Sequence, residues 1–296
     1  MAQYVAGELR SDWVRVMPGV FVLLWSTGFI GAKFGLPYAE PFTFLLLRMA
    51  LVSALLGLVA LVMGAPWPKS WRMAGRIALA GLLVHAVYLG GVFFAIANKV
   101  PAGIAALIVG VQPLLTAALA GRLLGERVSL RQWGGLLLGL AGVGLVVSEK
   151  LSFDGGSLLG IGSAVAALVG ITLGTLYQKR HCTGMDLRTG AVIQYTVTAA
   201  AFAVLAPLTE SMRITWTGEF VFALLWLTFV LSVGAVFLLF ALIRRGAAAR
   251  VASLFYLTPP VTAVVAWAMF DERLGALALA GMAMTVVGVA LVNRSG

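Results

Sequence analysis

Residues 95–147 read AIANKVPAGIAALIVGVQPLLTAALAGRLLGERVSLRQWGGLLLGLAGVGLVV, and residues 241–293 read ALIRRGAAARVASLFYLTPPVTAVVAWAMFDERLGALALAGMAMTVVGVALVN. The second stretch lies on the first without a gap at an offset of 146 residues, with fourteen of fifty-three positions identical. Apolar matches mean little in an apolar chain. More telling are Pro113 on Pro259, Glu126-Arg127 on Glu272-Arg273 and Gly142 on Gly288. The same offset carries Gly28 onto Gly174 and Lys33 onto Lys179. A fixed period this long indicates two copies of one structural unit.

The chain has 296 residues, 61% hydrophobic and 11% charged, with a mean hydropathy of +1.02. Water-soluble domains carry about 25% charged residues, so the chain reads as an all-α membrane protein. Lipid offers no partner for backbone N–H and C=O groups, and a helix satisfies them internally. Ten transmembrane helices are expected, at 17–34, 41–63, 73–97, 101–123, 130–147, 155–177, 187–207, 219–243, 248–270 and 275–292. Each is close to the ~20 apolar residues that a span requires. These spans define a tail at 1–16 and two repeats, 17–148 and 155–292, and leave no room for a soluble domain. The tail mixes Glu8, Arg10, Asp12 and Arg15 and shows no small-residue cleavage site, so the first span reads as a retained helix.

Orientation follows from Lys and Arg. With ten spans, the side shared by both termini carries fifteen of them and the other side five, Lys33, Lys99, Lys150, Arg213 and Arg273. That excess places both termini in the cytoplasm. It also accounts for the net charge of +10 without nucleic acid. Each repeat holds an odd number of spans, so the second copy enters the membrane upside down. Such inverted-topology repeats build alternating-access carriers around a midplane site.

The ordered motifs resemble a known family. They are Ala102 to Leu107, Pro113-Leu114-Leu115-Thr116-Ala117, Leu124-Gly125-Glu126-Arg127, Trp133-Gly134-Gly135 and Gly142-Val143, repeated with Thr258-Pro259-Pro260 and Asp271-Glu272-Arg273. Trp25 to Phe29, Lys33 and Leu47-Arg48 suit the start of a half. Nearly the whole chain resembles the EamA-type carriers of the drug/metabolite transporter superfamily. That resemblance implies export of a small polar or amphipathic molecule, such as an amino acid, across the bacterial inner membrane. A multidrug exporter is the alternative within the class, and a membrane scaffold or receptor the alternative outside it.

Several residues are candidates for the pathway. Pro113, Pro259 and Pro260 fall mid-span, where proline kinks a helix and shapes a cavity or hinge. Arg48 is the one basic residue well inside a span. A charge there is costly unless paired; it either holds a substrate carboxylate or serves structure, capping carbonyls or reaching Glu40. His85, with Tyr88 three residues on, reads as a proton relay or as a hydrogen-bonded packing histidine. Trp25, Gln112, Tyr177, Gln194, Tyr195 and Tyr256 supply aromatic and amide groups for a cavity lining. Glycines at near-helical spacing, Gly28, Gly31 and Gly35 and again Gly135, Gly139 and Gly142, let helices approach within a monomer or a weak dimer.

The eleven Asp and Glu residues all fall in tails, loops or span ends. That argues against cationic drugs and against carboxylate-based proton coupling, and favours facilitated diffusion. The single cysteine, Cys182, excludes an intramolecular disulfide and a Cys-based metal site. No set of nucleophile, base and orienter is present, so an enzyme is not expected. Nor is there a strand-linked phosphate loop, and no cofactor is expected. The expected partners are a small-molecule substrate and membrane lipids.

Overall fold

The computed structural model describes residues 16–28, 31, 34–100, 105, 108–148, 157–270 and 275–293. The N-terminal tail, Lys33, the start of the fourth expected span and Glu272-Arg273 lie outside the described residues. The protein is all-helical, and among the described residues the only extended pairing is the isolated bridge between Ala39 and Ile214. The helices are α1 (Val16–Gly28), α2 (Pro41–Val62), α3 (Trp71–Ala97), α4 (Gln112–Leu124), α5 (Leu130–Ser148), α6 (Leu158–His181), α7 (Leu187–Thr209), α8 (Gly218–Arg245), α9 and α10 (Ala276–Asn293). α9 joins Ala248–Ser253, a 3-10 turn at Leu254–Leu257, and Thr258–Phe270. Six of them, α2, α3, α6, α7, α8 and α10, are long and apolar enough to cross a membrane.

Local chemistry sets the helix ends. Pro41 opens α2 at a position where its missing N–H costs nothing. Ser157 caps α6 by accepting from Gly160 N at 3.0 Å, and Asp186 caps α7 by accepting from Arg188 N at 2.9 Å. Gly125, at φ 70°, closes α4 in the left-handed region. Leu58, Leu61, Val62, Leu158 and Leu208 are exposed on the outside of the bundle. Large apolar side chains in that position suit lipid rather than water.

Three helix pairs make the close crossings. α5 lies antiparallel on α10, with Gly135 against Gly288 and Gly142 against Gly281. A methyl group built on any of the four would stand 2.6 Å from a facing backbone oxygen, so the backbones themselves touch. α2 meets α7 where the hydroxyls of Ser53 and Thr196 bond at 2.5 Å. α3 meets α6 through Gly91, Gly170 and Gly174, each of which a side chain would crowd.

Two irregularities recur at the sequence offset. α3 widens to a π-helix at Leu82–Val87 and α8 does so at Leu227–Ala235; shifting the first by 146 residues puts it inside the second. π stretches are uncommon and gather at functional sites. Likewise a turn at Gly110–Val111 precedes Pro113, and the 3-10 turn at Leu254–Leu257 precedes Pro259. Each proline therefore sits in the first turn of a fresh helical segment. It removes no mid-helix hydrogen bond, because the helix has already broken before it.

Candidate functional site

The two π stretches face a cavity between α1, α2, α3, α7 and α8. Its volume is about 50 Å³, counted for the centres of water-sized spheres. At roughly 10–15 Å³ for one water on that measure, it has room for a few waters. Trp25, Arg48, His85, Tyr88, Tyr195 and Leu231 contribute to its wall. Four of the residues singled out in the sequence, Trp25, Arg48, His85 and Tyr88, are thus brought together from three helices. Tyr195, weighed with them, joins from the second repeat.

Arg48 is 2% exposed. Its Nε donates to Ser232 Oγ at 3.0 Å, and Tyr195 donates its hydroxyl to Ser232 O at 2.9 Å. Arg48 does not reach Glu40, whose carboxylate instead accepts from Ser211 N and Oγ at 2.7 Å. Among the described residues no carboxylate bonds Arg48. His85 stacks on Tyr195 with ring centroids 4.6 Å apart, and its Nε2 is buried without a hydrogen-bond partner.

The other candidates do not line this cavity. Gln112 lines a smaller one of about 10 Å³ with Thr175, Lys179 and Phe255. Its Nε2 donates to Thr116 Oγ1 at 3.1 Å, and its Oε1 is buried and unpartnered. Gln194 donates to Gln178 Oε1 at 2.7 Å and packs on Gly81. Tyr256 lies against Gly139 with its hydroxyl buried and unpartnered. Tyr177 lies against His181 with ring centroids 4.6 Å apart and the rings tilted by 47°.

Beyond the smaller cavity, Lys179 pairs with Glu126 Oε1 at 2.7 Å, and Glu126 Oε2 accepts from Ala248 N at 2.8 Å. Lys179 also bonds the carbonyl of Gly246. This junction ties α4, α6 and the α8–α9 turn together. At the other end Glu210 accepts from Phe42 N, Thr43 N and Thr43 Oγ1, each at 2.7 Å, and holds the start of α2. There Tyr38 donates to Glu219, and that carboxylate raises the phenol's pKa.

The pattern of the EamA-like transporter family matches residues 19–148 and again 158–294. The chain belongs to that family. A transporter of Bacillus subtilis, YvbV, is 30% identical over 97% of this chain and 93% of its own. A probable terminal-alkyne amino-acid exporter of Streptantibioticus cattleyicolor is 27% identical over 96% and 94%. A probable amino-acid metabolite efflux pump of Escherichia coli is 24% identical over 95% and 94%. A crystal structure of another protein superposes with a TM-score of 0.79 at 21% identity, covering 94% of this chain and 96% of that one, and shares the fold. The chain is a multi-pass membrane transporter and not an enzyme.

In this EamA-like transporter, sequence reasoning missed Ser232, which holds Arg48, and Phe93, Val92 and Ile96, which complete the apolar wall. A serine between apolar residues carries no signal of its own. Its position 38 residues after Gln194, Arg48's repeat partner, marks no motif either.

Proposed function

We propose that this EamA-like transporter exports amino acids or similar small metabolites across the bacterial inner membrane by alternating access. It works as a facilitative carrier of ten spans in two inverted repeats, 17–148 and 155–292, with both termini cytoplasmic. The observation that carries the reading is the cavity between the repeats: it is lined from both of them and holds one buried cation with no acidic partner among the described residues. Relatives named as amino-acid exporters support the substrate class.

The inverted arrangement draws support from α5 and α10. Gly288 is the repeat partner of Gly142, and Gly281 that of Gly135. Gly135 meets Gly288 while Gly142 meets Gly281. Such an exchange of partners is what a two-fold axis produces. Because the two helices run antiparallel, that axis lies in the membrane plane.

Trp25, Arg48, His85 and Tyr88 form the substrate site in this reading. Gln112, Tyr177, Gln194 and Tyr256 flank the pathway as it opens. The cavity is too small for an amino acid, so transport requires the helices around it to part. The π stretches, and the turns before Pro113 and Pro259, are where the backbone ladder is already interrupted. The Glu126–Lys179 junction closes the cytoplasmic end and breaks when that end opens.

The test is uptake of labelled amino acids into proteoliposomes with and without a pH gradient. Saturable uptake that ignores the gradient is expected. Uptake that follows the gradient would replace facilitation with proton coupling and make His85 the first residue to substitute. Absence of any uptake would sink the amino-acid reading.

A further inference from the structure

We propose that the central cavity, widened as its helices part, takes its ligand as a carboxylate monoanion with an apolar body, that Arg48 is its only charge partner, and that an ammonium group on the ligand is dispensable. The proposal rests on the carrier reading above and specifies what its site recognises. Arg48 sits in the cavity wall at 2% exposure, and one of its nitrogens is committed to Ser232. Its other nitrogens have no acceptor among the described residues. A guanidinium stays protonated and presents its N–H groups as a planar fork, which two carboxylate oxygens match.

An uncompensated cation in this position is unfavourable, and an anion brought by the ligand offsets that. The described residues supply none: the acids among them, Glu40, Glu126, Asp186, Glu210 and Glu219, all lie at helix ends or in loops, and none lines the cavity. Ser232 fixes the guanidinium plane and is itself in the widened turn of α8, held from behind by Tyr195.

The remaining wall selects the ligand's body. Trp25, Leu89, Val92, Phe93, Ile96 and Leu231 are apolar or aromatic and suit a flat hydrocarbon part. Among the described residues no acid faces them, so the positive end of a zwitterion finds no opposite charge there. A dianion such as a phosphate monoester would leave a net negative charge in the same apolar wall. One charge on the protein matches one charge on the ligand.

The experiment uses the purified full chain in detergent and follows ligand-induced shifts in thermal unfolding. The probes are 3-phenylpropionate, phenylalanine, phenylalaninamide and phenylethylamine. In parallel, each labelled probe is tested for uptake into proteoliposomes. The two carboxylates are expected to bind, 3-phenylpropionate at least as tightly as phenylalanine, and the amide and amine at least about tenfold more weakly. Arg48→Gln is expected to abolish the preference for carboxylates, and the wild-type series stands as the test should that variant fail to fold. Equal binding of acid and amide, retention of the preference in a folded Arg48→Gln, or binding of none of the probes would overturn the proposal. Carboxylates that bind without being transported would instead refute the carrier reading and leave the carboxylate site intact.

Discussion

Gly135 and Gly288 meet backbone to backbone, each standing where a methyl group on the other would come within 2.6 Å of its carbonyl oxygen. The contact joins the fifth helix to the tenth, and therefore the first repeat to the second. It leaves no flexible side chain that can move aside. Gly135→Ala is expected to destabilise the protein by about 1–3 kcal/mol, the usual effect of overpacking. Gly134→Ala, one residue away with open space around it, is the control and should melt like the wild type. Equal melting of the two variants would show that the crossing does not limit stability.

Ser232 positions Arg48 without reaching the substrate in the proposed site. Ser232→Ala frees the guanidinium to turn, so KM should rise about tenfold while kcat and the melting temperature change little. Ser232→Thr keeps the hydroxyl and should restore KM. A fall in kcat alone would point to a role in helix motion instead.

The Glu126–Lys179 junction makes a prediction about opening. Both side chains are about one-fifth exposed, and Glu126 also holds the amide of Ala248. In a Cys182→Ala background, a cysteine at Ala252, which lines the smaller cavity, should react slowly with a maleimide. Adding Glu126→Gln should speed that reaction several-fold, in line with the roughly 1–3 kcal/mol carried by hydrogen bonds to a charged group. Unchanged labelling would remove the junction from the opening step.

Cys182 itself should be nearly inert. It is 1% exposed, and burial pushes its thiol up to about 11 against a weaker opposing pull from Arg76. The thiolate is the reactive form, so at neutral pH native protein should label at least about a hundredfold more slowly than unfolded protein. Rapid native labelling would contradict the buried placement at the end of α6.

Asp186 gives a pH dependence with a definite sign. Its hydrogen bond to Arg188 and its capping of α7 hold the carboxyl below its ordinary range. A carboxyl with a depressed folded-state pKa stabilises above its unfolded value, and that stability is lost as pH falls through the folded one. Asp186→Asn should cost up to about 1 kcal/mol at neutral pH, and the difference from wild type should shrink on acidification below about pH 4. A difference that is constant with pH would leave capping, not charge, as the source.

The helical character was legible because lipid makes helix the only local solution and the apolar runs mark where it applies. The repeat was legible from Pro113 and Pro259 and from Glu126 and Glu272. Arg48, His85, Tyr88 and Trp25 stood out because polar or amphipathic groups are rare inside apolar spans. Which of the candidates share a cavity was not legible. Gln112, Tyr177, Gln194 and Tyr256 carried the same signal and do not line it.

The sequence by itself determined the solvent, the helical character and the repetition of one unit, since composition, apolar runs and a fixed offset are properties of the chain alone. The tertiary structure decided the site. Arg48 and Ser232 are 184 residues apart and meet only because α2 and α8 pack together. The π turns that aim His85 and Ser232 inward have no residue signature. A backbone carbonyl chooses between the fourth and fifth amide ahead by the small energy difference that neighbouring helices impose, and that choice exists only once those neighbours are in place.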